Sequence, residues 1–123
     1  PNREYYFKQK LLKAVLYYKK EIGEVAVIFL YGGLECKYLE ILRDTLAKIG
    51  TYNIVIDVSE LSYIGSYGIS YFIQVSDYAK DHGGFLKLVN PHRKLKIIFE
   101  FMEVEKALDI YANFSEALSS WIE

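Results

Sequence analysis

Apolar residues follow two rhythms along this chain: short β-branched runs, and stretches in which they recur every three or four positions. Lys13-Ala14-Val15-Leu16-Tyr17-Tyr18 reads as a first strand behind a short helical or extended lead-in, and Lys20–Glu24 as a turn. Val25–Tyr31 is a second strand, rich in β-branched and apolar residues, which Gly32-Gly33 is expected to break. Leu39, Leu42, Leu46 and Ile49 then make a helical stripe, with Gly50 suited to the position just past the helix end. Asn53–Val58 is a continuous apolar run, as a buried strand requires. After it Ile69, Phe72, Ile73, Ser76 and Ala79 recur at helical spacing until His82-Gly83-Gly84 ends the helix. Phe85–Val89 is another strand. Pro91 fits the first turn of a further helix, whose apolar positions are Leu95, Ile98, Phe99 and Met102. Leu108–Tyr111 is a short last strand, and Phe114–Leu118 opens a terminal helix that carries Trp121.

The resulting order, ββαβαβαβα, predicts an α/β fold with a mixed, mainly parallel sheet and helices packed on it. No linker, repeat or low-complexity tract divides the sequence, so residues 1–123 are expected to form one domain. At 123 residues and 52% hydrophobic, the chain is long and apolar enough for a real core. A net charge of −1 gives no basic footprint for nucleic acid and no polybasic membrane patch. No apolar run approaches the roughly 20 residues that cross a bilayer, and no signal peptide is evident. Direct membrane insertion is therefore not expected. The lone Cys36 excludes an intramolecular disulfide and suits a reducing, cytoplasmic setting. The chain opens at Pro1 rather than Met, as a processed product or a piece of a longer protein would.

Catalytic chemistry finds little support. His82 and His92 lie on different connections, which argues against a shared metal site. Cys36 has no histidine near it in sequence, and Gly32-Gly33 and Gly83-Gly84 are too short to cradle phosphates. No enzyme activity, metal or cofactor is expected. The informative residue is Ser66, a hydroxyl placed where a strand and loop give way to a helix, at or beside the N-cap. A phosphate there would meet free backbone N–H groups and the positive end of the helix dipole.

The stretch Ile54-Val55-Ile56-Asp57-Val58-Ser59-Glu60-Leu61-Ser62-Tyr63-Ile64-Gly65-Ser66-Tyr67-Gly68-Ile69 resembles the core of the STAS domain, the fold of bacterial anti-sigma factor antagonists. In that family a strand of the type V-V-L-D-L-S-x-V-x-F-I is followed by D-S-S-G-L-G. Leu30-Tyr31-Gly32-Gly33-Leu34-Glu35 is similar to the family's L-x-G-E-L-D stretch. Residues 102–111 are similar to its T-G-L-D-K-L-F-x-I-Y stretch, and Ser115-Glu116-Ala117-Leu118 to its final E-E-A-L. The resemblance covers about residues 13–120.

It implies a cytoplasmic protein-binding switch. A typical member binds an anti-sigma factor that is also a GHKL-type serine kinase and so frees the sigma factor. The kinase then phosphorylates the first Ser of D-S-S-G, the complex dissociates, and a PP2C-type phosphatase resets the switch. Ser66 falls on the phosphoacceptor position, and Glu35 and Asp57 match family acidic residues. The chain departs from the motif beside the acceptor, with Gly65 for the Asp and Tyr67 for the second Ser. A STAS adaptor that binds without phosphorylation is the alternative, as the small subunit of a lipid-transport ABC system or a scaffold in a signalling assembly. From another class, a small enzyme or ligand-binder on a similar layered fold stays open.

Helical spacing adds one expectation of its own. At about 100° per residue, Tyr67, Tyr71, Gln74 and Tyr78 fall opposite the apolar stripe that follows Ser66. Tyrosine supplies rigid amphipathic contact area, so this row, with Tyr63, Gly65 and Ser66, is a candidate docking surface. Packing of Tyr71 and Tyr78 on a neighbouring helix or on the N-terminal segment is the competing expectation.

Overall fold

The computed structural model describes residues 3–6, 11–34 and 36–121, with side chains placed for 11–34 and 39–121. Among these, β1 (Arg3–Tyr6), β2 (Leu12–Lys19), β3 (Gly23–Leu34), β4 (Asn53–Ile64), β5 (Phe85–Val89) and β6 (Asp109–Tyr111) form one sheet in chain order. The pairs β1–β2 and β2–β3 are antiparallel, and every pair from β3 to β6 is parallel. The helices are α1 (Cys36–Ile49), α2 (Ser66–Asp81), α3 (Arg93–Phe101) and α4 (Phe114–Ser120). The order ββαβαβαβα thus runs from β2 to α4. Ahead of it β1 adds an edge strand where the sequence left the lead-in open.

Side-chain alternation sorts the sheet into two faces. Ile28 and Leu30 of β3, Ile54, Ile56 and Val58 of β4, and Leu86 and Leu88 of β5 pack with buried residues of α1, α2 and α3. Three parallel crossovers of the same hand between consecutive neighbours put their helices on one side. Val25, Val27, Val55 and Val89 point to the other side, where α4 covers them through Ala117, Phe114 and Leu118.

Lys87 belongs to that second face and is buried. Its ammonium donates to Ser120 Oγ at 2.7 Å and to the Tyr111 hydroxyl at 3.2 Å. It also lies within 5.2 Å of the ring centroids of Phe85, Tyr111 and Trp121. Aromatic faces and two hydroxyls replace water around the charge and hold the end of α4 to β5.

Two strands run further than sequence predicts. β3 continues through Gly32-Gly33 to Leu34, and β4 passes Val58 to reach Ile64. Their pairing steps from Phe29↔Asp57 to Tyr31↔Glu60, and from Gly32↔Leu61 to Gly33↔Tyr63. Each step places one extra residue in β4, as a bulge does. The buried residues Val58, Leu61 and Ile64 therefore share a face at intervals of three. Alternation is lost in the sequence although pairing persists, so the apolar rhythm ends at Val58 while the strand runs on.

Asp57 sits at the first bulge. Its Oδ1 accepts the Ser59 N–H at 2.8 Å, and its Oδ2 accepts from Asn90 Nδ2 at 2.8 Å. One carboxylate thereby satisfies a bulge amide and ties β4 to the β5–α3 loop.

The start of α3 makes a second tie. Pro91 does not enter the first helical turn; α3 begins at Arg93 with His92 as N-cap. His92 Nδ1 accepts the Leu95 N–H at 3.4 Å, and its Nε2 lies 2.8 Å from the Leu61 carbonyl oxygen. A carbonyl can only accept, so Nε2 is the donor in that contact. Two bonds from one ring fix the cap at His92. Only Leu95 and Phe99 of α3 are buried, whereas Ile98 and Met102, expected in the core, are partly exposed. The neighbouring β6 is a three-residue edge strand and offers little surface for them to cover.

Replacing Asp57 with Ala strands the Ser59 amide and the Asn90 side chain. The expected loss is about 2–3 kcal/mol, because hydrogen bonds to a charged group exceed neutral ones. Urea denaturation checks it as a lower midpoint at unchanged slope.

Candidate functional site

Beyond β5 and β6 the carboxyl ends of β3 and β4 project as a two-stranded ribbon, since β5 pairs only with residues 53–57. The chain turns at Gly65 on the tip of this ribbon and enters α2. Ile64 faces inward and Tyr63 outward, half exposed at 51%. Gly68 of the first helical turn is buried, and a Cβ there would stand 2.8 Å from Ile64 Cγ1 and 3.2 Å from Leu34 Cδ2. The small residue lets α2 start in direct contact with the ribbon.

Ser66 is the first residue of α2 rather than its cap. Gly65 is the N-cap, with extended backbone at φ −87° and ψ 174°, and no side chain caps the helix. The Gly65 carbonyl accepts the first helical bond from the Ile69 N–H at 3.1 Å. The amides of Ser66, Tyr67 and Gly68 precede that bond, so the positive end of a 16-residue helix is open beside the Ser66 hydroxyl. Ser66 is exposed, and Tyr67 next to it is 70% exposed. Tyr63 folds back over the turn: a Cβ on Gly65 would lie 3.3 Å from the Tyr63 hydroxyl oxygen. The phenol therefore fills part of the room that an acidic side chain at 65 would use. Tyr63, Gly65, Ser66 and Tyr67 form one continuous surface.

The other candidate residues separate from it. Asp57 is buried, with both oxygens committed to the ties described above. Glu35 lies outside the described residues. Tyr71, expected on the solvent side of α2, is buried instead. The buried residues of α2 include Gly68 and Val75, which the apolar stripe read from sequence omitted. They rotate the inward arc toward Tyr71, where Arg43 of α1 lies with its guanidinium carbon 5.0 Å from the ring centroid. Packing on a neighbouring helix thus holds for Tyr71. Burial raises its pKa above 10.0, and Arg43 offsets part of that rise.

Tyr78 stays exposed, but three turns along α2, about 18 Å from Ser66. It belongs to a separate aromatic group in which His82 stacks on Tyr52 at 4.5 Å and tilts over Tyr78 at 4.3 Å. Coulombic interaction with Tyr78 is the largest cause that raises the Tyr52 pKa, followed by slight desolvation and their hydrogen bond. Tyr31, which sequence reading left out of the site, is exposed on the ribbon beside Gly32. A strand expected to end at that residue carried no sign that its side chain would border a longer ribbon.

The raised Tyr71 pKa makes a signed prediction. Above pH 10.0 the unfolded tyrosine loses its proton first, while the folded one still holds it. Tyr71 thus contributes stability that is fully present below pH 10.0 and lost as pH rises through its higher folded value. Stability of the wild type is expected to fall more steeply than that of Tyr71→Phe in alkaline urea titrations.

Comparison with known proteins adds the family. No curated protein matches the chain in sequence. Among solved structures, a candidate anti-sigma factor antagonist from Thermotoga maritima superposes with a TM-score of 0.72 at 17% identity, covering 85% of this chain and 91% of that one. An anti-sigma factor antagonist from Mycobacterium paratuberculosis gives 0.72 at 15% identity, with 91% and 95% covered. The antagonist SpoIIAA in its unphosphorylated form gives 0.61 at 18% identity, with 89% and 96% covered. At such identities these likenesses establish a shared fold. The STAS domain family model matches residues 3–117, nearly the whole chain, and the chain is a member of the STAS domain family.

Proposed function

We propose that residues 1–123 form a single STAS domain that acts in the cytoplasm as a non-enzymatic partner switch of the anti-sigma factor antagonist kind. Its partner is a protein, an anti-sigma factor of the GHKL serine-kinase type. The docking surface is the tip formed by Tyr63, Gly65, Ser66 and Tyr67, with Glu35, the residue that follows Leu34 in sequence, as its acidic member. Phosphorylation of Ser66 by that partner releases it, and a PP2C-type phosphatase resets the cycle. The observation that carries this reading is the exposed Ser66 hydroxyl at the uncapped start of α2, between two exposed tyrosines.

The physical account is direct. A phosphate adds a charge of about −1.5 to −2 at neutral pH. The open amides of α2 and its dipole stabilise that charge on the free domain. In the complex the same charge sits within a tyrosine-lined contact and loses its water, which opposes binding. Asp57 then acts through the ribbon it holds rather than by contact. Tyr71 supports α2 from within, and Tyr78 marks the remote end of the helix.

A second reading keeps the docking tip but removes phosphorylation, leaving a constitutive adaptor in a transporter or a signalling assembly. The Tyr63 ring beside Gly65 favours it, because it takes room that the family's acidic side chain before the acceptor would use.

Parallel pull-downs from the source cells with wild type, Ser66→Asp and Ser66→Ala separate the two, with bound proteins identified by mass spectrometry. The switch requires a GHKL-type kinase retained by wild type and Ser66→Ala and lost by Ser66→Asp, with affinity reduced at least tenfold. Equal retention by all three, or capture of a transporter ATPase, supports the adaptor.

A further inference from the structure

A cavity of about 480 Å³ lies between α1, α2 and the loop that leads into β4. On α2 its lining runs from Tyr71 to Tyr78, beginning five residues past Ser66. Leu46 and Ala47 of α1, Ile54 of β4 and Val75 of α2 make its apolar floor. Tyr52 and Tyr78 form an aromatic wall, with ring centroids 5.8 Å apart. The cavity falls within the range of about 300–1,000 Å³ typical of small-molecule sites, and its mostly apolar lining with a few polar groups matches their usual chemistry.

Arg43 is the charged group of the lining. Arg43 lies over the Tyr71 ring, and both residues line the cavity. The Tyr71 hydroxyl interacts with the guanidinium, but Arg carries five N–H donors and one phenol oxygen cannot use them all, so donors remain for a carboxylate. Among the described residues no carboxylate pairs with Arg43. One cation balances one charge, which selects a monoanion over a phosphate dianion.

We propose that this cavity binds a small monocarboxylate with an apolar body, a medium-length alkyl chain or a fused aromatic ring. The carboxylate lies on Arg43, and the body lies on Leu46, Ile54 and Val75 against the Tyr52–Tyr78 wall. The site shares no lining residue with the docking tip. Binding to it is read on the isolated domain without a protein partner, so its outcome is separate from that of the Ser66 switch.

Decanoate and naphthoate are the anionic probes, and decanol is the uncharged control. Each is titrated into the full chain by calorimetry and by amide chemical-shift mapping. Both acids are expected to shift the amides of Ala47, Tyr71, Val75 and Tyr78. Arg43→Gln is expected to weaken decanoate at least tenfold while decanol changes less than twofold. Ala47→Phe fills the cavity and is expected to abolish binding of all three. Both positions are exposed, so melting temperatures should stay close to that of the wild type. No shifts up to millimolar acid overturn the proposal. So does equal loss of decanoate and decanol in Arg43→Gln, undiminished decanoate binding in that variant, or undiminished binding in Ala47→Phe.

Discussion

The parallel ladder between β3 and β4 is the constraint on which the rest of this domain depends. Four of its paired residues have no measurable exposure: Ala26, Ile28, Val55 and Ile56. Their backbone groups can find partners only in the sheet, so the ladder is obligatory once these side chains leave water. Each neighbouring element takes its place from it. The antiparallel strands add on the β3 side, the parallel strands add on the β4 side, and helices cover both faces. Among the described residues only this ladder continues beyond the rest of the sheet, and that continuation puts Ser66 at a projecting tip.

A ribbon without sheet on one side needs other supports. The buried residues Leu34, Leu61 and Ile64 supply apolar contact with the start of α2, and Gly68 permits the approach. Asp57 and His92 supply the polar part. One satisfies a bulge amide and grips Asn90; the other caps α3 and holds the Leu61 carbonyl. The exposed tyrosines at the tip are therefore displayed from a braced turn, which lowers the ordering cost of any contact they make. The Arg43–Tyr71 contact joins α1 to α2. It belongs to the cavity and not to the tip.

Much of the candidate site was legible because its signals are local. An apolar β-branched run, a hydroxyl at a turn and a helical stripe place Ser66 at the start of α2 within one residue. Tyr63 and Tyr67 followed as exposed neighbours. Tyr71 did not, because its burial depends on how α1 lies beside α2, and no periodicity within α2 contains that information. The second flank of a helix is assigned by its neighbour. The same holds for Ile98 and Met102, which carry the apolar spacing of a core face but have only a short edge strand beside them.

By itself the amino-acid sequence determined the order of elements, the alternation of strands with helices, the family motif and the position of the hydroxyl. These rest on hydrophobic periodicity and turn chemistry, which act over a few residues. Tertiary structure alone decided the lengths of β3 and β4, since two bulges hide a continuing strand from any two-residue rhythm. It also decided that Gly65 and not Ser66 caps α2, that His92 displaces Pro91 at the start of α3, and that a cavity lies beneath Arg43. Each depends on groups far apart in the chain meeting at hydrogen-bond or van der Waals distance, and only the folded sheet brings them there.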